Sequence, residues 1–206
     1  MKPAERMGEN MKNMTLTNIA RACNGRLIYP AEDSRKETEH AEAVGVVIDS
    51  RKAGENFIFV ATKGERVDGH RFIPDVFAKG ALGVVCEKEP ESLPGPCIVV
   101  EDSFEALKQI GEFYRQQLPV KVVGITGSVG KTSTKEFVAA VLSMKYKVHK
   151  TLGNYNNEVG VPLTVLSMPE DTEVAVLEMG INHFGEMRKL STVASPDICV
   201  ITNIGV

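Results

Sequence analysis

One segment constrains the fold of this chain more than any other: Val122-Val123-Gly124-Ile125-Thr126-Gly127-Ser128-Val129-Gly130-Lys131-Thr132-Ser133-Thr134. Its first part is a nearly continuous apolar run, as expected for a parallel strand covered on both faces. A glycine turn follows, then Gly-Lys-Thr and a helix from Lys131 to Met144. Backbone N–H groups of such a turn, and of the helix N-terminus behind it, point at an anion. Gly127 and Gly130 let the backbone approach phosphate oxygens with no side chain in the way. Lys131 can reach the β- and γ-phosphates, and the Thr132 hydroxyl can bind Mg²⁺. Thr126, Ser128, Val129 and Ser133 complete the candidate ATP-binding segment. The strict G-x-x-x-x-G-K-[ST] pattern fails by one position, because Ile125 stands where the first glycine belongs and Gly124 lies one residue too early.

The residues that follow supply the rest of such a domain. Strands are expected at 147–150, 173–178 and 198–202, and helices at 159–167, with Pro162 in the first turn, and 186–193. This alternation means a parallel α/β sheet. Glu178 follows four apolar residues and so sits at a strand's C-terminal edge, where ligands bind in such sheets. An unpaired carboxylate buried there is costly, which favours metal-related work with Thr132 or a polar cleft, the plainer reading being a structural ion pair. Asn203 ends the last strand at the same edge. The run from Thr151 to Pro162 contains Asn154, Asn156 and Asn157. It reads either as a polar turn whose Asn side chains bond their own backbone or as a substrate-facing loop.

The 206 residues make one large domain or two small ones. With 43% hydrophobic and 25% charged residues, the chain as a whole is not disordered. A net charge of −3 argues against neutralising a nucleic-acid backbone as the main task. No apolar run approaches the roughly 18–20 residues that cross a bilayer. Residues 1–14 hold four methionines but no apolar core of a secretory signal, and are expected to form a polar tail. The scattered cysteines 23, 86, 97 and 199 form no C-x-x-C and read as thiols of a reducing cytoplasm. A domain boundary is expected near Leu118–Lys121, giving domains 15–118 and 119–206. In the first, helices are expected over 15–27, 72–79 and 103–117, and short strands at 44–48, 57–60, 84–86 and 98–100, with a polar connection over 31–43.

The runs Thr126–Glu136, Gly153–Thr164, Leu177-Glu178-Met179-Gly180, Gly185-Glu186 and Ile201-Thr202-Asn203-Ile204-Gly205 together resemble the Mur ligase family, whose phosphate loop shows the same shifted glycine. In the first domain, Asp49-Ser50-Arg51, Asn56–Ala61, Lys63-Gly64 and Asp68-Gly69-His70 resemble the MurE/MurF-type N-terminal domain. The resemblance implies a small α/β domain for the UDP end of a nucleotide-sugar peptide, followed by the first part of a P-loop (Rossmann-like) ATPase domain. It implies Ser50, Arg51, Lys63, Gly64, Asp68 and His70 as substrate-binding residues, with Asn154 and Asn156. By residue type alone, Ser50, Arg51, Lys63 and His70 suit pyrophosphate, ribose or uracil oxygens. Each also reads as a solvated loop residue, and His70 as a residue that closes a turn.

The activity implied is ATP-dependent joining of D-alanyl-D-alanine to UDP-N-acetylmuramoyl-tripeptide through an acyl phosphate, a cytoplasmic step of peptidoglycan synthesis. Lys131, Glu178 and Asn157 would be catalytic, Thr132 and Glu178 would hold Mg²⁺, and Asn203 would face ATP. In relatives a metal-binding histidine follows Thr-Asn-Ile-Gly, and the remaining sheet and a C-terminal domain come later. The expectation is therefore an N-terminal portion that binds but does not turn over, with an open sheet edge at 198–206 covered by a partner or by self-association. The rival readings are another ligase of the superfamily, MurE-like or folylpolyglutamate synthase-like, and a non-catalytic UDP-sugar or nucleotide-binding module.

Overall fold

Short β-branched runs recur through both halves of the chain. In a computed structural model describing residues 10–64 and 67–205, they form two separate sheets. Residues 1–9 of the expected tail, and Val206 of the expected open edge, lie outside the described residues.

In the first half, α1 (Leu16–Ala22) starts where Thr15 Oγ1 accepts from Asn18 N, and buries Leu16, Ile19 and Ala20. It is shorter than the expected 15–27, because Asn24 takes a positive φ and turns the chain into a strand, β1 (Arg26–Ile28). Neither β1 nor α2 (Glu32–Thr38) was expected. Three half-exposed residues carry too little pattern for a strand, and α2 lacks the apolar stripe that betrays a packed helix. The remaining elements are β2 (Gly45–Val47), β3 (Phe57–Val60), a 3₁₀ turn (Gly69–Phe72), α3 (Ile73–Ala78), β4 (Gly83–Cys86) and β5 (Cys97–Val99). The sheet order is β1-β5-β4-β3-β2, parallel from β2 to β5 with β1 antiparallel at one edge.

The polar-tail expectation fails from Met11 onward. Met11 and Met14 are both fully buried. Met11 N donates to Ala43 O at 2.7 Å, and Ala43 N donates to Met14 O at 2.9 Å. Methionine fills irregular core gaps without needing periodicity, so nothing in the spacing announced this.

The chain divides into two compact units between Ile110 and Gly111. That point lies inside α4 (Ser103–Gln117) rather than after it. The last turns of α4 are tied into the second unit. The Tyr114 hydroxyl donates to Met168 O at 3.0 Å. The buried Arg115 guanidinium donates to the carbonyls of Leu118, Val120, Ala194 and Ser195.

The second unit continues with β6 (Lys121–Thr126), α5 (Lys131–Leu142), β7 (Val148–Lys150), α6 (Gly160–Leu166), β8 (Val174–Glu178), α7 (Glu186–Ala194) and β9 (Ile198–Ile201). All four strands are parallel, in the order β7-β8-β6-β9. The β-α alternation expected from the sequence is present. The open sheet edge expected at 198–206 is present as well: among the described residues β9 pairs only with β6, and Ile198 and Ile201 are 58% and 60% exposed. Because the strands are parallel, Thr126, Lys150, Glu178 and Ile201 end at one edge, and the loops after them gather there. Among the described residues no helix is long and apolar enough to cross a membrane.

Met14→Ala should destabilise the chain by about 2–5 kcal/mol, as for other buried methionines, measured by urea unfolding. An unchanged midpoint would return residues 11–14 to the tail.

Candidate functional site

The loop between β6 and α5 has the geometry its glycines require. Gly127 has φ +135° and Gly130 φ +85°, both in the left-handed region. A Cβ on Gly127 would lie 2.1 Å from Thr202 Oγ1. Gly130 caps α5 without a side-chain hydrogen bond. The amides of Lys131, Thr132 and Ser133, the first residues of the helix, therefore have no intrahelical acceptor and face outward as anion donors. Thr132 and Ser133 are exposed. Lys131 Nζ folds back onto Gly127 O at 2.7 Å and Ser128 O at 3.4 Å.

The loop is braced by the residues after β9. Thr202 Oγ1 donates to Val129 O at 2.5 Å and Thr126 O at 3.2 Å. Ser128 N donates to Asn203 O at 3.0 Å, and Gly205 N donates to Ser128 Oγ at 2.8 Å. Asn203 sits at the expected edge, but its Oδ1 accepts from Val129 N at 3.3 Å. Its side-chain oxygen thus holds the loop.

Glu178 ends β8, the neighbour of β6, and is 2% exposed. Its Oε1 accepts from Asn156 Nδ2 at 2.8 Å, and its N–H donates to Thr151 Oγ1 at 2.9 Å. Among the described residues its Oε2, which is buried, has no hydrogen-bond partner, although Lys135 Nζ lies 3.7 Å away. Lys135 was not among the residues singled out from sequence, nor were Thr151 and Glu136. Lys135 Nζ donates to Thr151 O at 2.8 Å and pairs with Glu136 Oε1 at 3.1 Å. Glu136 also pairs with Lys150. Hydrogen bonding from Lys150, with Lys135 assisting, holds the Glu136 carboxyl below its usual range. The overlooked signal was spacing: Lys135 stands four residues before Ala139 on the buried face of α5.

The asparagine loop divides its work. Asn156 reaches Glu178, while Asn154 is exposed. Asn157, expected to be catalytic, caps α6 with its side-chain oxygen: Oδ1 accepts from Gly160 N at 2.8 Å and Val159 N at 3.2 Å. The first amides of a helix need such an acceptor, and this side chain supplies it.

No cluster of three or more His, Cys, Asp or Glu able to hold a metal occurs among the described residues. Mg²⁺ is commonly bound by one or two protein oxygens plus substrate phosphates rather than by a protein cage. The orphaned Glu178 Oε2 and the exposed Thr132 hydroxyl beside the phosphate loop fit that mode.

In the first unit, Lys63, Asp68 and His70 line a cavity of about 380 Å³ with Arg71, Glu87 and Lys88. Lys63 and Gly64 are exposed, and Gly64 N donates to Val67 O. His70 uses both ring nitrogens internally. Glu87 N donates to Nε2 at 2.9 Å, which leaves the proton on Nδ1, 2.6 Å from Asp68 Oδ1. The backbone N–H and ring of His70 hold the Asp68 carboxyl below its ordinary value. These contacts close the turn in which His70 stands, at the wall of the cavity. Ser50 and Arg51 are not part of that cavity lining. Arg51 turns back in a two-point pair onto Asp49, at 2.9 and 2.8 Å, and Ser50 O accepts from Lys79 Nζ.

The pattern of the "Mur ligase family, catalytic domain" matches residues 42–124, and that of the "Mur ligase middle domain" matches residues 125–206. The chain belongs to the Mur ligase family. The UDP-N-acetylmuramoyl-tripeptide--D-alanyl-D-alanine ligase of Bacillus subtilis is 45% identical over 200 residues, covering 95% of this chain and 42% of that protein. The Escherichia coli ligase of the same name is 39% identical over 159 residues. Among solved structures, MurF from Acinetobacter baumannii superposes with a TM-score of 0.84 at 33% identity, covering 96% of this chain and 42% of that one. MurF ligase from Thermotoga maritima in complex with ADP gives 0.72 at 37% identity, covering 78% of this chain and 38% of that one. The chain thus spans less than half the length of these Mur ligases.

Arg51 sets one titration. Its guanidinium hydrogen bonds push the Asp49 carboxyl down to about 2. A depressed folded pKa contributes stability that is present above the unfolded value of about 3.9 and lost as pH falls through about 2. Arg51→Ala should return Asp49 to the ordinary range in a carboxyl-carbon NMR titration. An unmoved titration would show that Arg51 is not the cause.

Proposed function

We propose that this chain forms the UDP-substrate-binding and phosphate-binding portion of an ATP-dependent ligase, one that joins D-alanyl-D-alanine to UDP-N-acetylmuramoyl-tripeptide. The observation that carries the reading is the pairing of a glycine loop on α5 with a buried, partly unpartnered Glu178 at the end of the adjacent strand. The names of relatives up to 45% identical over 200 residues supply the substrates.

In the reaction proposed, a substrate carboxylate oxygen attacks the γ-phosphorus of ATP, and the bond to the departing ADP breaks. The dipeptide amine then attacks the acyl carbon, phosphate leaves, and the nitrogen gives up a proton. The burden on the protein is to bring two anions together and neutralise their charge. The outward amides of α5 bind phosphate oxygens, and the Lys131 ammonium exchanges its loop carbonyls for the β- and γ-phosphates. Thr132 and Glu178 would hold Mg²⁺, which when bound supplies positive charge against the phosphates. Asn156 orients Glu178, and Asn154 lies exposed on the same loop for substrate. In the first unit, Lys63 and Arg71 offer cations on a cavity suited in size to part of a nucleotide. Against relatives more than twice its length, a chain that binds substrates without completing turnover is the form of the proposal.

Calorimetry with UDP-N-acetylmuramoyl-tripeptide and with Mg-ATP tests the proposal. Both should bind. Lys131→Ala should weaken Mg-ATP at least about tenfold, in line with loss of a charge-assisted hydrogen bond, while leaving the UDP-peptide unaffected. Undiminished Mg-ATP binding by that variant would refute the assignment of the loop.

A further inference from the structure

Lys135 is a lysine where a helix packed on a sheet ordinarily carries an apolar residue. It shares the buried face of α5 with Ala139, and its side chain is 2% exposed. Burying an ammonium requires partners, and it has three: Thr151 O, Glu136 Oε1 and, more distantly, Glu178 Oε2. The 3.7 Å to Glu178 is an electrostatic contact but too long for a hydrogen bond. The cation thus attracts Oε2 without occupying it. The other oxygen is fixed by Asn156 Nδ2, and the Glu178 backbone is fixed by Thr151 Oγ1. A buried acceptor left without a donor costs free energy and calls for a function that uses it.

We propose that Lys135 is a positioning residue for Glu178: tied to Thr151 and Glu136, it holds the carboxylate in one orientation and leaves Oε2 open for a divalent cation shared with nucleotide phosphates. The inference rests on reading the α5 loop as a nucleotide site. Thr151 belongs to the same device. Its carbonyl anchors the lysine and its hydroxyl anchors the Glu178 amide, so the end of β7 sets the distance between the two charges.

The test is the affinity of the 206-residue chain for ADP, measured by calorimetry with and without Mg²⁺. The ratio of the two affinities is the metal enhancement. Lys135→Met should reduce it about tenfold or more, as for other groups that orient metal ligands, and leave metal-free ADP binding unchanged. In a Glu178→Gln background, Lys135→Met should remove nothing further. Thermal melting of each variant records the structural cost separately. If Lys135→Met does not fold, Lys135→Gln, which keeps a donor but no charge, should show the same loss. An intact enhancement in the folded variant, or losses that simply add in the double variant, would overturn the proposal. Failure of the unsubstituted chain to bind ADP in either condition would overturn it differently, by removing the nucleotide site itself.

Discussion

The burial of Glu178 is the constraint around which the ligand edge of the second unit is organised. A carboxylate cannot be taken out of water at the end of a covered strand without compensation. Here compensation comes from separate elements: Lys135 from α5, Thr151 from the end of β7 and Asn156 from the loop that follows. Charges alternate through the cluster, from Lys150 to Glu136 to Lys135 to Glu178. Removing one member strands the next in a medium that solvates it poorly. The cluster therefore locks the helix behind the phosphate loop to two neighbouring strands.

The phosphate loop depends on a second brace. It lacks the glycine that usually opens such a loop, and the chain after β9 closes on it. Thr202 and Asn203 take up its carbonyls and amides, and their closeness leaves no room for a side chain at residue 127. Between the Glu178–Lys135 pair and the Thr202–Asn203 brace, the first amides of α5 have no intrahelical acceptor and receive no side-chain cap from Gly130. In the first unit the polar residues behave differently. Asp49 with Arg51 and Asp68 with His70 form pairs two residues apart, which shape their loops and spend hydrogen-bonding capacity that residue type alone would assign to a ligand.

The local parts of the second unit were legible in the chain: the strand before the glycine turn, the helix after it, and an acid closing another strand. Each rests on contiguous residues, where apolar runs and glycine positions have direct conformational meaning. Less was legible in the first unit. Met11 and Met14 enter the core without periodicity, β1 is three residues long, and α2 shows no apolar stripe. Asn157 and His70 were named for the chemistry their side chains could perform, and the structure shows them in a helix cap and a turn as well.

By itself, the sequence determined the strand–loop–helix unit, the parallel alternation and the placement of Glu178 at a strand's end, because those follow from the backbone and from neighbours in the chain. Only the tertiary structure decided that β6 lies between β8 and β9, that Lys135 faces Glu178, and that Asn203 braces the loop. Those outcomes depend on which strands adjoin, and so on contacts between residues far apart in the chain, which no local pattern encodes.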